Sequence, residues 1–352
     1  MTSHEGIFNH INSGKKSQAI TIKDIARESG VNISTVSRAL NDAYGVHQQT
    51  RGHVLAVAAR LNYYPNRVAR GLKTRRSHTL ALIVSDIRNP FFAEVTRGAE
   101  DAARAGGYDL VLCNSDLDPR KQMEYVASLL EKQVDGILMN SVADLSRKQQ
   151  DQLAASGVPI VLLNRSTASK SFSTVCADNE AGGAMAAQYL LRLGHENIAH
   201  LTGPRRHGNL TDRARGFLRF LKAAGAKQRI TVLHGENSFS GGHTLTQKLL
   251  RQQPKISAIF AANDWMAFGA IRAMLELGRR VPEDISLIGF DNLELASVVH
   301  PPLTTIHQPK YEMGRAASEM LLRLARNQSK PGSEHLLLRV ELIERESCRK
   351  RL

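Results

Sequence analysis

Thr21-Ile22-Lys23-Asp24-Ile25-Ala26-Arg27-Glu28-Ser29-Gly30-Val31-Asn32-Ile33-Ser34-Thr35-Val36-Ser37-Arg38-Ala39-Leu40-Asn41 is the stretch on which the reading of this chain turns. Thr21 and Asp24 have capping-box spacing, so a hydroxyl and a carboxylate can satisfy orphan amides at a helix start. That helix runs to about Ser29 and is stopped by Gly30. Asn32 caps a second short helix, Ile33 to Leu40, in which Ile33, Val36 and Leu40 recur at intervals of three and four. A third, from about Gln49 to Leu61, carries Val54, Val57, Ala58 and Leu61 on one face. Three short helices with a glycine turn between the first two predict a helix-turn-helix unit over residues 21–65. Its second helix presents Ser34, Thr35, Ser37, Arg38 and Asn41 outward. Short hydroxyls, an amide and one guanidinium suit base edges and phosphates in a major groove. Thr50, at the start of the third helix, joins this candidate DNA-contacting set.

The charge distribution agrees. The 352 residues carry 47 Lys plus Arg against 33 Asp plus Glu, a net of +14. Residues 1–78 hold twelve cations and four anions, a net of +8, so more than half of the excess lies in less than a quarter of the chain. A small basic module attached to a nearly balanced body is the footprint of a polyanion-binding unit. Residues 1–20 read as a disordered polar leader. Beyond the bundle, Asn62-Tyr63-Tyr64-Pro65-Asn66 breaks the helical pattern, and the basic segment that follows, to residue 78, is too short and glycine-containing to be a stable helix alone.

From Thr79 apolar runs alternate with amphipathic segments. Strands are expected at Leu80–Ser85, Asp109–Cys113, Gly136–Asn140, Ile160–Leu163, Ile198–Thr202, Thr231–His234, Ala258–Ala261 and Ile285–Gly289, with helices between them. Buried strands alternating with helices predict parallel sheets covered on both faces. Four units followed by four more predict two doubly wound α/β lobes with a ligand cleft beyond the carboxyl ends of the strands. The body spans 79–345, with an N-lobe of about 79–177 and 309–337 and a C-lobe of about 178–306 and 338–345; residues 346–352 read as a basic tail.

Other classes find little support. Met1 to Gln18 lacks an apolar core segment and no window approaches 18 uninterrupted apolar residues, so neither a signal peptide nor a membrane span is expected. Cys113, Cys176 and Cys348 are far apart and odd in number, which argues for a reducing cytoplasm. Asp116 and Asp118 lack the glycine and glutamate of a calcium loop. His195 and His200 are five apart with a strand start between them, unlike zinc ligands on one helix face, and read as loop and surface. No P-loop, GxSxG or dinucleotide fingerprint appears; no catalytic residue, metal or cofactor is implied.

Thr21–Ala26, Gly30-Val31 and Thr35–Asn41, together with Tyr64-Pro65-Asn66, Ala69-Arg70, Leu72, Asn89-Pro90-Phe91-Phe92, Asp291 and Pro302-Leu303-Thr304-Thr305-Ile306, resemble the lactose-repressor/galactose-repressor (LacI/GalR) family, ribose-type repressors in particular. The resemblance covers nearly all of residues 21–345. It implies a non-enzymatic, cytoplasmic, DNA-binding regulator that acts as a homodimer on a palindromic operator. It implies that Asn66–Lys73 folds into a hinge helix on the operator, with Asn66, Arg67 and Ala69 at the DNA and Leu72 levered into a minor-groove base step. It also implies a periplasmic-binding-protein-like effector body in which Asn89, Phe91, Phe92, Arg165, Arg213, Phe239, Asn263, Asp291 and Gln308 hold a small sugar, ribose or a relative. The set is coherent, because aromatic rings cover the apolar face of a sugar while fixed donors and acceptors meet its hydroxyls. Three positions depart from the family pattern. Asn164 replaces a frequent aspartate before Arg165, His47 stands where a serine usually caps the third helix, and Gly52 lies inside that helix. A purine-responsive or corepressor-dependent regulator of the same family stays open beside the sugar reading. A transport-type sugar-binding protein would share the body but not the basic residues 1–78.

Overall fold

A computed structural model describes residues 20–41, 43–63, 76–140, 145–164, 171–205, 207–225, 229–332 and 334–351. Two units emerge, one ending at Arg75 and one beginning at Arg76.

In the first unit, α1 (Ile22–Ser29), α2 (Ile33–Leu40) and α3 (Gln48–Arg60) enclose Ile25, Val36, Ala39, Val54, Val57 and Ala58. The Asp24 carboxylate accepts from the Thr21 N–H at 2.9 Å and from its hydroxyl at 2.7 Å, and Gly30 closes α1 in the left-handed conformation at φ 69°. Two local expectations change. Asn32 occupies the N-cap of α2 without a side-chain capping bond. Ile33 is 47% exposed. Side chains lean toward a helix N-terminus, so a first-turn residue of a two-turn helix overhangs the core, and Ala39 takes its place on the buried stripe.

The second unit contains two six-stranded sheets. The first comprises β1 (Thr79–Val84), β2 (Asp109–Asn114), β3 (Gly136–Met139), β4 (Ile160–Leu163), β5 (Ser173–Ala177) and β11 (His335–Leu338), in the order β11-β5-β4-β3-β1-β2 and parallel throughout. The second comprises β6 (Asn197–Thr202), β7 (Arg229–His234), β8 (Ala258–Ala261), β9 (Ser286–Asp291), β10 (Thr304–His307) and β12 (Glu341–Ile343), in the order β12-β10-β9-β8-β6-β7. Only the edge strand β12 runs antiparallel. Along β1, Leu80, Leu82 and Val84 join one apolar cluster while Ala81 and Ile83 join another, so both faces are buried, as continuous apolar runs require. The eight predicted strands are present with ends shifted by at most two residues. β5, β10, β11 and β12 enlarge each sheet beyond four strands; they are short, polar-rich or exposed and lack the apolar runs that mark central strands.

The helices between strands are α4 (Phe91–Ala105), α5 (Pro119–Glu131), α6 (Arg147–Ala155), α7 (Asn179–Arg192), α8 (Gly208–Ala223), α9 (Phe239–Gln252), α10 (Asp264–Glu276), the single turn α11 (Leu295–Val298) and α12 (Lys310–Ala325). After β5 the chain passes to the second sheet, α12 returns to pack on α4, and the chain crosses once more between β11 and β12. Three helix pairs, α7 with α8, α4 with α12 and α9 with α10, meet backbone to backbone. A Cβ on Gly183 would lie 2.0 Å from the Arg213 carbonyl oxygen, and one on Gly314 would lie 1.9 Å from that of Val95.

The last described residues are docked. The Ser347 hydroxyl donates to the Leu287 carbonyl at 2.6 Å and accepts from the Thr304 N–H at 2.8 Å, and the Arg351 N–H donates to Leu193 O at 2.8 Å. His195 and His200, expected at the surface, are 3% and 0% exposed. His200 lies on the covered face of β6, its ring 4.6 Å from Phe260 and 5.5 Å from Phe217, with Nδ1 2.9 Å from Phe260 O.

Candidate functional site: a polar cleft and a separate helical DNA-reading face

On α2, Ser34 and Arg38 are exposed and Thr35 and Ser37 half-buried. The exposed Asn41 at its end donates from Nδ2 to Ser37 O at 2.7 Å, which fixes the amide against the helix terminus. Thr50 is half-buried in α3. The turn after α2 adds a group that the sequence reading missed. Tyr44 is fully exposed beside Gly45 at φ 89°, and a Cβ on Gly45 would lie 3.8 Å from Arg38 Nη1. The Arg51 guanidinium donates to Ala43 O at 2.7 Å and so holds this turn. Asn66, Arg67, Ala69 and Leu72 lie outside the described residues.

In the second unit, a cleft opens where the carboxyl ends of strands from both sheets meet. Among its walls are six of the sequence-predicted residues: Asn89, Phe91, Phe92, Arg213, Asn263 and Asp291. β1 and α4 place the first three. The Asn89 side chain accepts from the Phe91 N–H at 3.0 Å, which turns the chain into α4. The Phe91 and Phe92 rings meet edge to face with centroids 5.1 Å apart. Asn263 follows β8, caps α10 through the Met266 N–H at 2.8 Å and donates to Asn237 Oδ1 at 2.5 Å.

Arg213 and Asp291 form the charged centre. The guanidinium is 2% exposed; it donates from Nε to Asn179 Oδ1 at 2.8 Å and from Nη1 to Ala262 O at 2.6 Å, and Nη1 lies 3.5 Å from Asp291 Oδ1. Burial lowers the Arg213 pKa to about 10 against the attraction of Asp291, leaving it charged at neutral pH. Asp291 ends β9 at φ 117°, a sparsely populated conformation for a residue with a side chain. Lys310 holds that turn by donating to the carbonyls of Asp291 and Asn292, both at 2.8 Å. Burial pushes the Asp291 carboxyl up, opposed by Arg213 and Lys310. Behind it Asp264, 0% exposed, accepts from the Thr305 hydroxyl at 2.6 Å and the Leu293 N–H at 2.8 Å. Burial and the Asp291 charge push its carboxyl up.

The remaining predicted residues lie elsewhere. Gln308 is fully buried and donates to Asp291 Oδ1 at 2.5 Å, so it positions the carboxylate from behind. Phe239 opens α9 at 38% exposure with its ring against Trp265, centroids 6.0 Å apart, and stands outside the cleft wall. Trp265 is half-buried between Phe239 and Phe268. Arg165 lies outside the described residues. Ser85, Leu117, Asn140, His207, Asn209, Leu210 and Asn237 line the cleft without having been anticipated, and Asn164, noted as a departure from the family pattern, lines it too. Ser85, Asn140 and Asn164 each come directly after a strand, which was the available signal. Asn164 holds φ 52°, and its buried Oδ1 has no hydrogen-bond partner among the described residues. Among the described residues, six asparagines thus face one cleft with a single ion pair, a wall that offers many neutral donors and acceptors.

Comparison with known proteins covers both units. Residues 21–66 match the family described as "Bacterial regulatory proteins, lacI family", and residues 77–346 match "Periplasmic binding proteins and sugar binding domain of LacI family". The chain is 36% identical over 308 residues to the ribose operon repressor of Bacillus subtilis (88% of this chain, 92% of the relative). It is 37% identical over 304 residues to the HTH-type transcriptional repressor PurR of Aliivibrio salmonicida (86% and 91%). Among solved structures, the lac repressor dimer bound to operator and an anti-inducer superimposes with a TM-score of 0.85 at 30% identity, covering 94% of this chain and 100% of that one. A LacI-family regulator of Enterococcus faecium with bound ribose gives 0.71 at 32% identity, covering 78% and 100%. With a helix-turn-helix at one end and a two-sheet cleft at the other, this chain belongs to the LacI family of bacterial DNA-binding transcriptional regulators.

Proposed function

We propose that this protein represses a carbohydrate-utilisation operon, binding a palindromic operator as a homodimer and responding to a small neutral sugar of the ribose type. The observation that carries the sugar reading is the amide-rich cleft. Sugar hydroxyls donate and accept, and can meet six asparagine side chains together with the unpartnered Asn164 Oδ1, while the Arg213–Asp291 pair orients one end of the ring. Edge-to-face Phe91 and Phe92 form a corner against which an apolar ring face can pack, not the parallel slot that a flat nucleobase favours. The ribose-bound relative supports the same class.

Two helix-turn-helix units on one palindrome require a two-fold protein, and the similar lac repressor is a dimer on its operator. Sugar binding acts by favouring one arrangement of the two lobes over another, and operator affinity changes by the sugar's differential affinity for the two states. Asn66–Lys73, with Leu72 as the wedge, is the proposed hinge between the bodies, and the protein works in the cytoplasm. A thermal-shift screen of pentoses, hexoses and their phosphates against purines, followed by operator binding with the hit, tests this. A pentose or hexose hit that changes operator affinity supports the reading; a hit confined to purines overturns it.

A further inference from the structure

A second, half-open pocket lies in the C-lobe at the amino ends of β8 and β9, at the other end of those strands from the polar cleft. Lys255, Arg279, Arg349, Lys350 and Arg351 line it with the carboxylates Glu283 and Asp284. Asp284 is already engaged, since it accepts from the Arg280 N–H at 2.8 Å and pairs with the Arg280 guanidinium at 3.5 Å. Among the described residues none of the five cations makes an ion pair within 4 Å, although like charges brought this close repel one another. The docking of the last residues imposes that crowding: the Arg349 N–H donates to Ser286 Oγ at 3.1 Å and the Arg351 N–H to Leu193 O.

At the base of the cavity lies His195, 3% exposed, with Nδ1 3.1 Å from Ser257 Oγ. Its Nε2 is buried and makes no hydrogen bond of full geometry, although the Arg349 main chain lies against the ring and favours a proton there. The Ser257 hydroxyl can give its one proton either to Asn197 O, also at 3.1 Å, or to His195 Nδ1, so the ring can turn a donor or an acceptor toward the cavity. Five cations against two carboxylates, one of them already engaged by Arg280, with a buried imidazole at the base, make a pocket in which negative charge is under-supplied.

We propose that this pocket binds a phosphate-bearing small molecule, through Lys255, Arg279 and the arginines at 349 and 351, with His195 Nε2 contacting a phosphate oxygen. Phosphate fits because it combines concentrated charge with several oxygens that accept from guanidinium groups, and a protonated phosphate oxygen can also donate. Strand β9 begins at Ser286 beside this pocket and ends at Asp291 in the polar cleft, so the two sites share one rigid element.

The test is calorimetric titration of the full chain at constant ionic strength with inorganic phosphate, pyrophosphate and a hexose monophosphate, with chloride as the control. Saturable binding of at least one phosphate compound is expected, weakened tenfold or more in Lys255→Gln/Arg279→Gln and unchanged in Arg38→Gln, which alters only the DNA-reading helix. The His195 imidazole resonances should move on addition of the bound compound. Tighter binding of the hexose monophosphate than of either inorganic ion would point to a phosphorylated metabolite; the reverse order would point to the free ion. Heats no larger than those of chloride, or binding retained in the double variant, would overturn the proposal.

Discussion

The Arg213 guanidinium carbon lies 3.7 Å from the centre of the Phe290 ring, so the one buried cation of the cleft rests on an aromatic face while its nitrogens reach Asn179, Ala262 and Asp291. Cation–π contact and a hydrogen-bonded fork together hold the group in one orientation. Arg213→Lys keeps the charge but loses the fork, and it should weaken sugar binding about tenfold or more, about 1.4 kcal/mol. Arg213→Ala strands Asp291 as a buried charge and should cost about 3–5 kcal/mol of stability as well. Calorimetry with the sugar found by the screen and thermal unfolding of both variants check this; unchanged affinity in both would remove Arg213 from the site.

Two glycines should respond to alanine in opposite ways. At Gly183 the new methyl would meet the Arg213 carbonyl at 2.0 Å, forcing α8 away and destabilising the body by about 1–3 kcal/mol. At Gly52, exposed in α3 with nothing within 4 Å of an added Cβ, alanine should stabilise the helical module by up to about 1 kcal/mol. Differential scanning calorimetry of each variant would show the shift, and a neutral Gly183→Ala would contradict the packing described here.

Salt should separate the two binding activities. Operator affinity is expected to fall steeply as salt rises, by about 0.9 log unit per log unit of salt for each phosphate contacted. Sugar affinity in an amide-lined cleft should barely change. Arg38→Ala should relax one operator position as well as weaken binding, read by competition between operator and random DNA. Equal losses on both would mean that Arg38 contacts only the backbone.

Acid should destabilise the body through its buried histidines. Burial lowers the pKa of both His195 and His200 to about 4, below the ordinary 6.5, so the fold favours their neutral forms. Their contribution is fully present above about pH 6.5 and is lost as pH falls toward 4, at about 1.4 kcal/mol per pH unit per proton taken up by the unfolded chain. Asp264 works in the opposite direction, its pKa being raised to about 8 by burial and by Asp291. The comparison that isolates His200 is therefore His200→Phe against the parent. Chemical denaturation at pH 7.5 and 4.5 should show a smaller difference in the variant, and an equal difference would exclude His200.

The helix-turn-helix and the central strands were legible because their signals are local: a capping box, a terminating glycine and apolar runs such as Leu80–Val84. The edge strands were not, since β11 and β12 gain their place by pairing with residues far away in sequence. In the cleft, Arg213 and Asp291 were named through the family resemblance, and their places near βα junctions are consistent with it. Asn140 was overlooked because an asparagine after a strand is also an ordinary turn residue, and only the convergence of both sheets distinguishes the two. Gln308 and Phe239 show the converse. Their positions suggested the cleft, yet one lies a layer behind it and the other faces Trp265. His200 lies in a run that reads as a strand, but its stacking on Phe217 and Phe260 is a tertiary fact.

Where α7 meets α8 and α4 meets α12, glycine brings main chain against main chain, and such a contact has no rotamers to exchange. Each helix pair is therefore a solid block that cannot slide by small side-chain adjustments. If the lobes rearrange, these contacts favour rotation of whole lobes about the three chain segments that join them over sliding within a lobe.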